Sequence, residues 1–392
     1  MELRPDPAQA AFIDAARRWL ADNVPAEALP PPYTVTGLAA HRAWERRLYQ
    51  AGYAGMAWPR EYGGAGSGPE LDWLFTTEYV RARAPERINR LGLGLVGPTI
   101  IAFGEPWQQQ RWLAPILDCR ELWCQGFSEP EAGSDLAAIR TRAIRDGEDY
   151  IVNGQKIWTS LATHADWMAA LVRTETGSRR HHGLTFLLVP MGLPGIEVRP
   201  MRQLHGEPGF AEVFFTDVRV PARNVLGRAG EGWTVATTML RFERAASIGH
   251  PARFLRDVED LVALVQSVGL ADDPVVADAV AARYAEARIF ARYMDHVMTR
   301  RQHGESLDAS ASVTKLYWSE LEARIYETML DVLGPLAETT DALPGSRAGR
   351  DLQRRYWHAR ASRIYAGTSE VQRNIIAERI LGLPREPQWT SG

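Results

Sequence analysis

Cysteine is nearly absent from this chain, and lysine is as scarce. The only two cysteines among 392 residues, Cys119 and Cys124, stand in CRELWC, a spacing that fits neither a zinc knuckle nor a CxxC redox pair. Two unpaired thiols with no signal peptide lead us to expect a reducing, cytoplasmic location. Apolar runs long enough to span a bilayer are missing, which argues against membrane insertion. Charge of one sign is lacking too: the net charge is −3, with acids and bases interspersed, leaving no electrostatic footprint for a nucleic acid or an anionic membrane. Lysine occurs only at Lys156 and Lys315, the other cations being arginine, which reads as coding bias rather than chemistry. No HExxH and no GxSxG is present, so zinc-protease and serine-hydrolase chemistry have no anchor. The adjacent His181 and His182, without a third ligand, read as the surface of a loop.

What is present is a succession of textures. The first third is helical, beginning with Asp6 as a cap and Phe12, Ala15, Ala16, Trp19 and Leu20 on one face. After Leu122 the pattern turns extended: DYIVNGQKIWTS reads as two runs around an Asn153-Gly154 hairpin, and WMAALVRTE, GLTFLLVPM, GIEVRPM and AEVFFTDVRVP follow as strands. From Glu231 long helices return. Strands segregated from helices indicate an α+β chain rather than a doubly wound one. The expected domains are a helical N-terminal one over 1–121, an antiparallel β domain over 122–228 and a helical bundle of four over 229–392.

GLGLVG, Gly92 to Gly97, matches a dinucleotide fingerprint letter by letter, but its approach, RAPERINRL, is charged rather than a strand and PTIIAFG follows it, so close helix packing is the better account. WCQGFSEPEAGSDL, Trp123 to Leu136, puts backbone amides and the Ser134 hydroxyl where an anion could sit. NGQKIWTS adds Trp158 and Ser160, a stacking surface beside a hydrogen-bonding group.

These segments, with AWPREYGG, EVFFTDVRVPARNVLG and IYAGTSEVQRNIIAERILGLPRE, resemble in order and spacing the flavin-dependent acyl-CoA dehydrogenases over essentially the whole chain. The resemblance implies a middle domain that is β-barrel-like between two helical ones. It implies FAD as cofactor, held through Gln125, Phe127, Ser128, Ser134, Trp158, Ser160, Thr368 and Glu370. It further implies electron-transfer flavoprotein as acceptor and an acyl-CoA or acyl-carrier thioester as substrate. Assembly would be a homotetramer, or the α2β2 hetero-oligomer of actinobacterial relatives that act on steroid side chains.

The reaction implied is α,β-desaturation, in which a carboxylate removes the α-proton as the β-hydrogen leaves as hydride. In much of the family that carboxylate occupies the position of Ala366, which has none. A minority carries it on the first long C-terminal-domain helix within a Glu-Arg pair, and Glu243 with Arg244 matches that arrangement. Helical spacing agrees: Trp233, Ala236, Met239, Leu240 and Glu243 fall on one face. The resemblance also implies that the Ala366 backbone N–H polarises the thioester carbonyl. Two other readings stay open from sequence alone: a non-catalytic partner in a hetero-oligomer, and a flavin monooxygenase on the same fold.

Overall fold

The computed structural model describes residues 5–245, 249–303, 305, 310–339 and 348–384. The chain divides into two compact units, Pro7–Ala246 and, apart from a few N-terminal residues, Ser247–Gly392.

The first unit begins with helices α1 (Pro7–Asn23), α2 (Val35–Gln50), α3 (Gly68–Arg81), α4 (Gly97–Phe103) and α5 (Pro106–Leu117). α1 buries Ile13, Ala16 and Leu20, an i, i+3, i+7 stripe; Ala15, expected on that face, is exposed, and Ile13 takes its place. These side chains meet Trp44, Leu48, Met56, Phe75 and Tyr79 in one core. The polar ends of its aromatics are satisfied inside it: Trp44 Nε1 donates to Tyr79 Oη at 2.6 Å, and Tyr79 passes its own proton to the Pro85 carbonyl at 2.5 Å. Gly92 to Gly97 forms a π-turn running into α4, and the Trp58 ring lies where a Cβ at Gly97 would be, while Trp58 Nε1 donates to Leu93 O at 2.9 Å. Close packing is therefore what these glycines serve.

A sheet follows: β1 (Trp123–Gly126), β2 (Arg142–Asp146), β3 (Asp149–Ser160), β4 (Trp167–Arg173), β5 (Leu184–Pro190), β6 (Ile196–Arg202) and β7 (Pro208–Pro221). The strand order is β1-β4-β2-β3-β7-β6, with β5 also on β4; β1 and β2 meet β4 in parallel, and the remaining pairs are antiparallel. β4 and β5 read as unbroken apolar runs because both faces are covered. Ala169, Leu171, Phe186 and Leu188 join a core with Trp112, Leu113 and the helical residues Val235, Ala236 and Met239. The alternate residues Met168, Ala170, Val172, Leu187 and Val189 join a second core with Val152, Val213 and Phe215. The period of two is thus preserved with no polar face to display it.

The expected hairpin at Asn153-Gly154 does not form. β3 runs straight through, and the pair marks a register shift against β7. Asn153 Nδ2 donates to Asp217 Oδ1 at 3.0 Å while its Oδ1 accepts from Asp217 N at 2.9 Å, and a Cβ on Gly154 would strike Thr141. The hairpin lies one turn earlier, where Asp146 pairs with Asp149 across Gly147 at φ +58°. The unit closes with α6 (Gly232–Ala245), packed on β5 and α4.

The second unit holds α7 (Pro251–Ser267), α8 (Pro274–Gln302), α9 (Ser310–Leu333), α10 (Ala348–Ser362) and α11 (Ser369–Arg379). α9 is its axis, touching α7, α8, α10 and α11. Its interior is not wholly apolar. Buried Glu322 accepts from Arg253 and from the Ser362 hydroxyl, buried Asp257 from Tyr326 Oη at 3.1 Å, and buried Lys315 donates to Ser362 O at 2.9 Å. Buried charge persists there because each group has a partner.

Candidate active site

The strand β1 delivers the chain into a tight turn at residues 129–132, closed by reciprocal bonds of 3.0 Å between the backbones of Glu129 and Ala132. The Glu129 carboxylate then organises what surrounds it. It accepts from Arg140 N at 2.6 Å, from Thr141 N at 2.9 Å and from Lys156 Nζ at 2.8 Å. Lys156, with no exposed surface, spends its other two donors on Phe127 O at 3.1 Å and Leu171 O at 2.7 Å. All three ammonium protons are therefore matched. Burial lowers the Lys156 pKa to about 8, with Glu129 opposing the fall. Burial would raise the Glu129 carboxyl, but Lys156 and the hydrogen bonds outweigh it and hold it below the usual carboxylate range. A further bond, Ile157 N to Ser128 O at 2.9 Å, ties the 126–135 loop to the end of β3.

Beyond Lys156 the strand is irregular: register with β7 shifts before Thr159, and Trp158 adopts φ +59°. The side chain is 57% exposed, its only ring partner among the described residues being Phe210, edge-on at 6.1 Å. An exposed indole held by a left-handed residue is an open stacking face. At the end of β3 and in the 126–135 loop stand hydroxyls with no protein partner among the described residues: Ser160 half-buried, Ser128 half-buried and Ser134 exposed, while the Thr159 Oγ1 is buried without one. Gln125 is half-buried in β1, in register with Ala169. Phe127 turns inward, its ring meeting Phe186 edge-to-face at 5.8 Å, so at this position the loop presents backbone. An aromatic plane with spare hydroxyls suits an isoalloxazine ring and its polar edge.

The second unit, described by itself, holds a different loop. Ser362, at the end of α10, is fixed by Lys315 and Glu322, and Tyr365 Oη lies 3.3 Å from its hydroxyl. At the far end Thr368 caps α11, accepting from Val371 N at 3.2 Å, and Ser369 N reaches back to Arg363 O at 3.0 Å. Between these anchors Ala366 takes φ +53° and Gly367 φ +86°. Gln372 Nε2 donates to both of their carbonyls, at 3.0 and 3.3 Å. The Ala366 N–H has no partner among the described residues. Glu370 is exposed in the first turn of α11, and the helix amides with the Thr368 hydroxyl lower its pKa.

The Glu243 and Arg244 side chains lie outside the described residues. On the same helical face of α6, Ala236 and Met239 are buried and Leu240 half-buried. Sequence reading passed over Glu129 and treated Lys156 as compositional bias. The available signal was a lone lysine inside a half-buried strand of an arginine-rich chain.

Comparison with known proteins settles the family. The acyl-CoA dehydrogenase N-terminal, middle and C-terminal domain profiles match residues 6–120, 124–218 and 230–381. The chain is 43% identical over 382 residues to the acyl-CoA dehydrogenase IpdE1 of Mycobacterium tuberculosis, covering 96% of this chain and 98% of that one.

The chain belongs to the acyl-CoA dehydrogenase family.

Two solved structures agree. The Tcur3481-Tcur3483 steroid acyl-CoA dehydrogenase superposes with a TM-score of 0.87 at 27% identity, covering 98% of this chain and 100% of that one. The ChsE4-ChsE5 complex from Mycobacterium tuberculosis does so with a TM-score of 0.82 at 31% identity, covering 99% and 100%. The dehydrogenase thus has the family's helical, β and helical succession, and it is an oxidoreductase of a family that generally binds FAD. By packing, α6 belongs with the first unit, whereas the C-terminal family profile starts before it, at residue 230. Among the described residues no helix is long and apolar enough to cross a membrane and no cluster could hold a metal ion.

Proposed function

We propose that the dehydrogenase desaturates an acyl-CoA thioester between Cα and Cβ, with Glu243 removing the α-proton and the Ala366 N–H polarising the carbonyl. The uncommitted amide of Ala366 carries this reading: it is a donor, on a loop pinned at both ends, at a position whose methyl side chain can do no proton transfer. A carbonyl oxygen accepting that bond gains negative charge as the α-proton departs, so the donor acts most strongly in the transition state. With no acid at 366, the base must come from elsewhere, and position 243 follows Ala236, Met239 and Leu240 at helical spacing along α6.

FAD, when bound, supplies the acceptor for the hydrogen that leaves Cβ as hydride. Trp158 would lie against its ring system, Ser128, Ser160 and Gln125 would hydrogen-bond its polar edge, and Ser134, Thr368 and Glu370 would reach the rest. The Glu129–Lys156 pair would set the distance between the two flavin-contacting segments. Electrons then pass to an electron-transfer flavoprotein. The names of the steroid dehydrogenase and of the ChsE4-ChsE5 complex pair two chains each, and we favour the same kind of assembly here, with a bulky acyl group in the room that alanine leaves.

The test is Glu243→Gln. It should keep its yellow flavin and lose reduction by substrate by about 10²–10⁴-fold, the ordinary contribution of a general base. Reduction at the wild-type rate would move the base to another residue.

A further inference from the structure

Within the second unit, the loop that carries the Ala366 amide is gripped from both sides. On the N-terminal side the grip runs through Ser362, which has no exposed surface. Its carbonyl accepts from the buried Lys315 Nζ at 2.9 Å, and its hydroxyl donates to the buried carboxylate of Glu322, which also accepts from Arg253. A carboxylate paired with a guanidinium only accepts, so the Ser362 proton is committed to Glu322 and the Ser362 oxygen is left to accept from Tyr365 Oη at 3.3 Å. The polarity therefore runs one way, from Tyr365 to Ser362 to Glu322. Tyr365 N meanwhile donates to Ala361 O at 3.0 Å, and the Tyr365 ring lies beside Trp318, centroids 6.4 Å apart.

On the C-terminal side the buried Gln372 commits both amide protons, Nε2 donating to Ala366 O at 3.0 Å and to Gly367 O at 3.3 Å. Two carbonyl acceptors fix which way the amide faces, since its oxygen in that place would meet oxygen. The orientation leaves Gln372 Oε1 buried with no hydrogen-bond partner, a cost that the bonds to the loop must offset. Gly367 makes the approach possible, because a Cβ there would lie 2.4 Å from Nε2. The peptide bond from Tyr365 to Ala366 lies between the two grips, and its N–H is the one without a partner among the described residues. Ala366 stands at φ +53°, backbone that a side chain disfavours. Such a conformation persists where its surroundings over-determine it, and it is typical of functional sites.

We propose that Ser362, oriented by Glu322, and Gln372 are positioning residues that aim the Ala366 N–H at the thioester carbonyl. The inference rests on the desaturation reading for the identity of the acceptor. Both residues act through the backbone, Ser362 on the peptide plane before Ala366 and Gln372 on the plane after it. A donor turned slightly off line still accommodates the neutral carbonyl, but it loses most where negative charge develops on the oxygen. Loosening either grip therefore falls on kcat more than on KM.

The experiment compares flavin-loaded wild type with Ser362→Ala and Gln372→Met. The substrate is whichever of butyryl-, isovaleryl-, octanoyl- and 3-phenylpropionyl-CoA reduces the wild-type flavin fastest, and the bound probe is the matching 2-enoyl-CoA labelled with carbon-13 at its carbonyl. Difference infrared spectroscopy reads the labelled stretch, which falls in frequency as the oxygen accepts a hydrogen bond. In both variants the stretch should move back to higher frequency, and kcat should fall about 10–100-fold with KM within about threefold of wild type. Should Ser362→Ala fail to fold, Tyr365→Phe breaks the same chain at its outer link and is judged by the same readouts. Adding Ala366→Gly, which eases the left-handed backbone, should leave kcat low in both variants. Recovery of kcat there would show that the grips only offset strain and would overturn the proposal, as would variants whose kcat and carbonyl stretch match wild type. A wild type whose flavin no acyl-CoA reduces would sink the desaturation reading instead. Amide exchange of the 363–372 peptide in the substrate-free holoenzyme, read by mass spectrometry, then decides the grips: faster exchange in both variants upholds them, and unchanged exchange overturns them.

Discussion

Replacing Lys156 by methionine isolates what the buried Glu129–Lys156 pair does. The change conserves bulk and removes the ammonium. It frees two carbonyls, of Phe127 and Leu171, and strands a carboxylate that is 7% exposed. Removing one member of a buried pair costs about 3–5 kcal/mol. The low end applies, because Glu129 keeps the amides of Arg140 and Thr141 at 2.6 and 2.9 Å, so about 3 kcal/mol is expected. For a unit of this size that lowers the melting temperature by about 6–10 °C, readable by circular dichroism. Adding Glu129→Gln should recover at least about 1 kcal/mol, since the neutral amide needs no counter-charge. The same single variant should bind FAD more weakly, because the tie between the 126–135 loop and β3 is reduced to the Ile157–Ser128 bond. A Lys156→Met protein within about 1 kcal/mol of wild type, or a double variant less stable than the single, would refute the assignment of this pair as the organising contact.

Gly97→Ala should destabilise the first unit by at least about 1–3 kcal/mol, since its Cβ would overlap the Trp58 ring; adding Trp58→Leu should recover part of the loss, and an unchanged denaturation midpoint would contradict the close packing. Ala366→Gly should be neutral to stabilising by up to about 1 kcal/mol, because left-handed backbone at φ +53° is easier for glycine while the unfolded chain gains freedom; a larger loss in thermal melting would mean that the methyl group packs. Cys119 and Cys124 are buried free thiols, and burial raises both pKa values, Cys119 to about 12. Native protein at pH 8 should therefore leave both unmodified by a thiol reagent, and denatured protein should take two equivalents. The unfolded thiols ionise first, so this contribution to stability is complete below the ordinary value of 9.0 and declines above it.

The α+β succession, and the positions of most strands, were legible because composition changes abruptly at Leu122 and again near Glu231. The dinucleotide reading of Gly92–Gly97 could be dismissed from context, and Trp58 supplies the physical reason those glycines are needed. Asn153-Gly154 misled because turn chemistry is a local preference. Here side-chain pairing with Asp217 across the sheet outweighs it and turns the dipeptide into a bulge. Ala15 misled for a related cause, since periodicity gives the width of a helical stripe and the neighbouring helices give its centre.

By itself the sequence determined which chemical groups are available: a chain with no acid at position 366, an acid on the helix that begins the C-terminal family domain, and motifs whose order names the family. Tertiary structure alone decided which groups are committed. One of the two lysines is satisfied three times over beneath the 126–135 loop, Arg173 is exhausted by four carbonyls and a hydroxyl, and the Ala366 amide and the guanidinium groups of Arg179 and Arg180 have no partner among the described residues. The reason is physical: spacing along a chain fixes what a segment carries, whereas a donor is free or spent only according to what folds against it.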